Sequence, residues 1–194
     1  MTPMFRYFLG FQVAADRAGW LARHLPHVPG DLFAGLKPQL YHLTLCTVAE
    51  TDTPQPFVRQ HVARAFAAGL PAASAIPFGR IVSKGMGAEL ATIGRIDGIR
   101  HLYARIVALL EAEAILPLHR KSGLRPHITL GYGACDFAPV LLPWAWIPRD
   151  LVLVESHVGH RRHRVLQSWS LEPPPQGTFD FMAYELPVPL RYAA

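Results

Sequence analysis

Two four-residue segments of this chain are near copies, His42-Leu43-Thr44-Leu45 and His127-Ile128-Thr129-Leu130, and they stand 85 residues apart. Both alternate polar with apolar residues, the period of a half-buried β-strand. On such a strand His and Thr project from one face, about 6.6 Å apart at a rise of about 3.3 Å per residue, while the Leu and Ile positions project from the other. Two such strands facing each other build a cleft lined by two imidazoles and two hydroxyls.

The surrounding pattern fits that expectation. A first strand is predicted over residues 6–13, followed by a helix that Asp16 caps, that carries Trp20, Leu21 and Leu25, and that Pro26 and Pro29 stop. A strand over 41–48 precedes a second helix, opened by Asp52-Thr53-Pro54, with Val58, Val62, Ala65, Phe66 and Gly69 on one face. Two strand-like runs, 78–84 and 88–93, flank Gly85-Met86-Gly87, which reads as a hairpin. The clearest helix starts after Asp97, where Ile99, Leu102, Tyr103, Ile106, Val107 and Leu110 follow helical spacing. A strand over 125–132, an irregular Pro- and Trp-containing stretch over 137–148, and strands over 151–158 and 164–171 across a basic loop complete the order. This succession predicts an α+β fold, antiparallel sheets covered by helices. It forms one domain over 1–194 that ends in a Pro-rich tail, 173–194.

Composition bounds the function. The 194 residues are 51% apolar and 17% charged, which supplies a core and excludes a disordered, acidic chain. The formal charge of +5 leans mildly toward an anionic partner. Only three of the 19 basic residues are Lys (Lys37, Lys84, Lys121), and Arg is the better fork for phosphate, although a chain rich in Ala, Pro and Gly is commonly rich in Arg as well. Two cysteines, Cys46 and Cys135, exclude a disulfide scaffold and a four-cysteine zinc site and predict a reduced, cytoplasmic setting. No apolar run reaches the roughly 18 residues of a membrane span. The stretch from Tyr7 to Ala15, interrupted by Gln12, reads as a strand rather than a leader. His24 and His27 have a metal-like spacing without a third ligand, so neither a metal nor another cofactor is expected.

Either His-x-Thr-x segment alone reads as an ordinary solvent-facing strand. Their duplication asks what chemistry uses two imidazoles and two hydroxyls. Displacement at phosphorus needs a base to take a proton from the attacking oxygen and an acid to give one to the departing oxygen. Near pH 7, two imidazoles divide those roles. Thr hydroxyls donate hydrogen bonds to the non-bridging phosphoryl oxygens, where charge collects in the transition state. A strained 2′,3′-cyclic phosphate suits such a site.

The paired segments resemble the signature of the two-histidine (2H) phosphoesterases, and of their LigT-like branch, the RNA 2′,3′-cyclic phosphodiesterases also called 2′-5′ RNA ligases. Arg125-Pro126 before His127, and Leu153-Val154-Glu155-Ser156 followed by a basic hairpin and Trp169-Ser170-Leu171, extend the resemblance over about residues 5–171. It implies a bilobal LigT-like fold, two pseudo-symmetric lobes around a central cleft. It also implies that His42 is the proton donor to the leaving oxygen, that His127 is the proton acceptor from water, that Thr44 and Thr129 bind phosphate, and that the product is a 2′-phosphate. The expected partner is RNA or a nucleotide with a cyclic phosphate, met by a monomer. Three alternatives stay open: reversible 2′-5′ ligation, another substrate such as an ADP-ribose cyclic phosphate, and a non-catalytic module that binds RNA ends.

Further candidates stand beside plainer readings. Arg125 shares the strand face of His127 and is a candidate substrate contact or a surface arginine, and Lys121 is a weaker version of the same idea. The loop 159–164 reads as a solvated turn or a phosphate-backbone contact. Phe11, Tyr132, Trp144 and Trp146 are candidates for stacking on a base or for core packing.

Overall fold

The computed structural model describes residues 4–28, 32–118 and 123–171. Lys121 and the Pro-rich tail lie outside the described residues. Chain order is β1 (Phe5–Gln12), α1 (Ala15–His24), β2 (Phe33–Gly35), a 3-10 turn (Pro38–Leu40), β3 (His42–Thr51), α2 (Phe57–Ala65), β4 (Ile76–Ser83), β5 (Gly85–Thr92), α3 (Asp97–Ala112), β6 (His127–Cys135), β7 (Val140–Trp146), β8 (Asp150–His157) and β9 (Arg162–Ser170).

Every strand pairing is antiparallel, in the order β7-β4-β5-β6-β3-β1-β8-β9, with β2 added to β6. This row divides into two quartets, β3-β1-β8-β9 and β6-β5-β4-β7, each with its tetrad strand innermost. They meet through a single register pair, Leu43 with Ile128. The two lobes that the resemblance implies are these quartets, and the tetrads form the seam between them.

Alternation sorts the residues of each quartet. Tyr7, Leu9 and Phe11 of β1, Leu43 of β3, Ile128 and Leu130 of β6, and Leu151 and Leu153 of β8 are fully buried in one core. The helices cover that face. Val58, Val62 and Ala65 of α2 and Ile99, Leu102, Ile106 and Leu110 of α3 join the same core, following the helical spacing of the sequence. His42, Thr44, His127 and Thr129 alternate with the buried positions and so occupy the opposite face. On the core side, aromatic rings tie the lobes together: Phe11 meets Trp146 edge-on at 6.1 Å, Trp146 stacks on Trp144 at 5.4 Å, and Trp144 stacks on Phe78 at 5.4 Å.

Several local expectations are corrected. Residues 137–148 are not irregular throughout, since they contain β7. Its Pro143 is tolerated because β7 is an edge strand, and it falls where the register with β4 shifts between Phe78 and Arg80. Asp16 lies inside the first turn of α1, and Ala14 occupies the cap position without a side-chain bond. The hairpin expected at 85–87 is present: Ser83 pairs with Ala88, Lys84 N–H donates to the Gly87 carbonyl at 2.7 Å, and the chain reverses at Gly85-Met86, although β5 already counts these residues and pairs Gly85 and Gly87 with β6. The basic loop is shorter than expected, because β9 already begins at Arg162.

Gly10 sets how closely β1 approaches β3. A Cβ at this position would collide with the carbonyl oxygen of Leu43, the residue at the seam. Gly10→Ala is therefore expected to lower stability by about 1–3 kcal/mol, the usual range for overpacking, as measured by urea denaturation.

Candidate active site

The seam builds the site. With Leu43 paired to Ile128 in antiparallel register, one step in either direction sets His42 opposite Thr129 and Thr44 opposite His127. Each imidazole thus neighbours the hydroxyl of the other tetrad, and all four groups share the face away from the core.

Both rings are held in the same way. His42 Nδ1 lies 2.7 Å from the carbonyl oxygen of Leu40, and His127 Nδ1 lies 2.8 Å from that of Arg125, two residues back in each case. A carbonyl only accepts, so Nδ1–H donates in both and Nε2 is left for chemistry. These carbonyls are available because each histidine is the first residue of its strand, entered from the 3-10 turn on one side and from Arg125-Pro126 on the other. Among the described residues, the Thr44 and Thr129 hydroxyls have no side-chain hydrogen bond and are free to donate to a ligand.

The surroundings of the two rings differ. His42 stacks on Phe8 at 4.7 Å and 25°, and His163 of β9 stands against it edge-to-face at 5.0 Å and 77°. Phe8 and His163 also meet edge-on at 5.6 Å. Burial in this aromatic corner pushes His42 down to about 4, with the charges of His163 and His127 adding to the effect and the Leu40 carbonyl opposing it. Burial lowers His163 as well. Free His42 is therefore neutral at pH 7. No aromatic ring packs on His127 among the described residues.

On the His127 side the face is ionic. Glu89 of β5, paired in register with Thr129, is the one buried charged residue among those described, at 5% exposure. Both of its oxygens receive the Arg125 guanidinium, at 2.7 and 2.8 Å, and Lys84 lies 3.8 Å away. The fork of Arg125, a candidate substrate contact, is thus engaged with Glu89. Because the Arg125 carbonyl also holds His127, the same residue links the ion pair to the orientation of the imidazole.

The structure sorts the remaining candidates. Phe11, Trp144 and Trp146 pack in the aromatic seam, whereas Tyr132 is 53% exposed beside the ionic face. Cys46 and Cys135 are buried, and burial pushes the Cys46 thiol up to about 12. His24 Nδ1 bonds the Trp20 carbonyl at 2.9 Å, and no group of three metal-ligating side chains occurs among the described residues. In the basic segment, Arg164 pairs with Glu155 at 2.9 Å, while His163 turns onto His42. Phe8, Glu89 and His163 carry no motif or local pattern in the sequence that marks them. For His163, the alternation with Val165 is hidden among flanking arginines.

A cavity of about 260 Å³ adjoins His42, lined by Gln12, Gln39, Val152, Val154, His163 and Val165 among others. A smaller one of about 170 Å³ adjoins Thr129 and Glu89. A further hollow of about 570 Å³ lies around Cys135 and Asp136 at the far end of β6 and holds none of these groups.

This α+β arrangement, two antiparallel quartets joined at their tetrad strands and backed by helices, is the LigT-like fold. The chain is similar to E. coli LigT in its crystal structure with 3′-AMP, with a TM-score of 0.62 and 18% identity over 88% of this chain and 99% of that one. It is also similar to TT0787 of Thermus thermophilus, with a TM-score of 0.68 and 19% identity over 87% of this chain and 98% of that one. For the MHV ns2 PDE domain the TM-score is 0.51, with 15% identity over 79% and 99%. No protein-family model and no curated protein matches the chain.

The depressed value of His42 has a consequence for stability. Its folded value of about 4 lies below the ordinary histidine value of 6.5, so between these the unfolded chain binds more protons and stability falls as pH drops. From pH 7 to 4.5, wild-type protein is expected to lose up to about 3 kcal/mol more than His42→Gln, measured by urea unfolding at both pH values.

Proposed function

We propose that the chain is a two-histidine phosphoesterase that hydrolyses 2′,3′-cyclic phosphate ends of RNA or nucleotides to 2′-phosphates without a metal ion. The observation that carries this reading is the seam itself: two imidazoles whose Nε2 has no partner among the described residues share one face with two hydroxyls, across the Leu43–Ile128 register. Crystal structures of E. coli LigT, which has the same fold, contain 3′-AMP, ATP, NADP+ or phosphate, and these support a nucleotide phosphate as ligand.

In this mechanism His127 Nε2 takes a proton from water as the water oxygen bonds to phosphorus. The P–O3′ bond breaks, and protonated His42 Nε2 gives its proton to O3′. The product carries a 2′-phosphate and a free 3′-hydroxyl, and the two imidazoles return to their starting states by exchange with solvent. Thr44 and Thr129 donate to the non-bridging oxygens. Free His42 is neutral, so the bound phosphate anion has to supply the negative charge that favours its imidazolium. The low value of free His42 favours a second assignment, with His42 as the base and His127 as the acid. The protein acts as a monomer, and attack by an RNA 5′-hydroxyl in place of water, which joins two ends through a 2′-5′ linkage, is the ligase activity of the same site. Among the described residues, no helix is long and apolar enough to cross a membrane.

The test is incubation with nucleoside 2′,3′-cyclic monophosphates in EDTA. Hydrolysis to the 2′-monophosphate is expected, with each of His42→Ala and His127→Ala about 10²- to 10⁴-fold slower. Loss of turnover in chelator would contradict the metal-free mechanism, and binding without turnover would favour an RNA-end-binding module. A p-nitrophenyl phosphodiester, whose leaving group needs no proton, assigns the roles. It is expected to restore His42→Ala and not His127→Ala, and the opposite result reverses the two.

A further inference from the structure

The faces flanking the tetrads are chemically unlike, although each lobe sets its tetrad on the innermost of four strands. Beside His127 the exposed face carries the Glu89, Arg125 and Lys84 ion pairs. Beside His42 it carries a separate apolar cluster, Phe8, Val152 and Val154, which belongs to none of the helix-covered core. Val154 pairs in register with Val165 of the edge strand β9, which is 45% exposed, and the two extend this apolar floor outward.

Phe8, Val152 and Val154 are themselves buried, so the open apolar surface of this face is supplied at its edge by Val165. The cavity beside them, about 260 Å³, is lined by His163, Gln12 and Gln39 among others, and Gln12 Nε2 donates to the Gln39 carbonyl at 3.3 Å. That volume is slightly below the lower bound of about 300 Å³ for pockets of drug-sized ligands, which is room for one heterocycle. Apolar walls with a few polar groups among them match a nucleobase, whose faces are apolar and whose edge carries donors and acceptors. A base laid on the other lobe would have to cover paired ions instead.

Resting on the hydrolase reading above, we propose that this cavity is the nucleobase subsite, with Val165 and His163 as its specificity-determining residues, and that the substrate is a nucleoside cyclic phosphate rather than a sugar cyclic phosphate without a base. His163 stands against both Phe8 and His42, so it closes the floor at the point nearest the reacting phosphate. The lobe of His42 thereby holds the base, and the seam holds the phosphate.

The experiment compares kcat/KM for adenosine 2′,3′-cyclic monophosphate and for methyl ribofuranoside 2,3-cyclic phosphate, which lacks the base. Wild-type protein is expected to prefer the nucleoside by at least tenfold. Val165→Trp, which fills the cavity from an exposed position, and His163→Ala should each reduce that preference by at least fivefold, mainly through KM for the nucleoside. Tyr132→Ala, on the other lobe, should leave the preference in place. Equal turnover of both compounds by the wild type would overturn the proposal, as would an unchanged preference in both cavity variants or its loss in Tyr132→Ala. If the wild type turns over neither compound, the hydrolase reading fails and the subsite is judged by calorimetric binding of 2′-AMP against ribose 2-phosphate. There the same fivefold loss of preference in the cavity variants supports the subsite, and its absence overturns it.

Discussion

The pairing of Leu43 with Ile128 is the constraint on which the rest of the structure depends. It is the register pair through which the two strand quartets meet, and it places an apolar residue of each tetrad in the common core. Because side chains alternate along a strand, burying Leu43 and Ile128 turns His42, Thr44, His127 and Thr129 outward together. A slip of one residue on either strand would bury an imidazole and expose a leucine or isoleucine. Burial of the core and exposure of the tetrads thus rely on the same register. The Phe11–Trp146 contact on the core side and the close approach at Gly10 hold it in place.

Matching tetrads do not give matching chemistry. Both histidines donate Nδ1–H to a carbonyl two residues back, and there the likeness ends. Phe8 and His163 enclose His42 in an aromatic corner that favours the neutral ring, whereas His127 borders the Glu89–Arg125 ion pair. Two titratable groups of one kind, placed in environments this different, are suited to opposite proton-transfer roles. The asymmetry arises outside the tetrads, from β9 on one lobe and from β5 and the approach to β6 on the other.

What was legible in the sequence was what periodicity encodes. The tetrads showed themselves by duplication and by alternation, and α3 by an apolar stripe that is buried almost as predicted. The strand β7 was obscured by Pro143, whose place at an edge and at a register shift is a property of the whole sheet. His163 was obscured by its arginine neighbours, because a charged run looks the same in a turn as on a strand that starts two residues early. Arg125 was noticed for its position on the strand, but its partner Glu89 lies 36 residues away in sequence, and only the β5–β6 register brings them together. Long-range pairing of this kind leaves no local pattern to read.

In the proposed reaction one phosphoryl group sits across the seam and touches both imidazoles at once. Histidine ring NMR signals followed during titration with a nucleoside 2′-monophosphate test this most directly. The His42 and His127 resonances are expected to move together along a single saturation curve, while those of His24 and His61, remote from the seam, stay in place. Movement of only one of the two rings, or two curves with different midpoints, would contradict it.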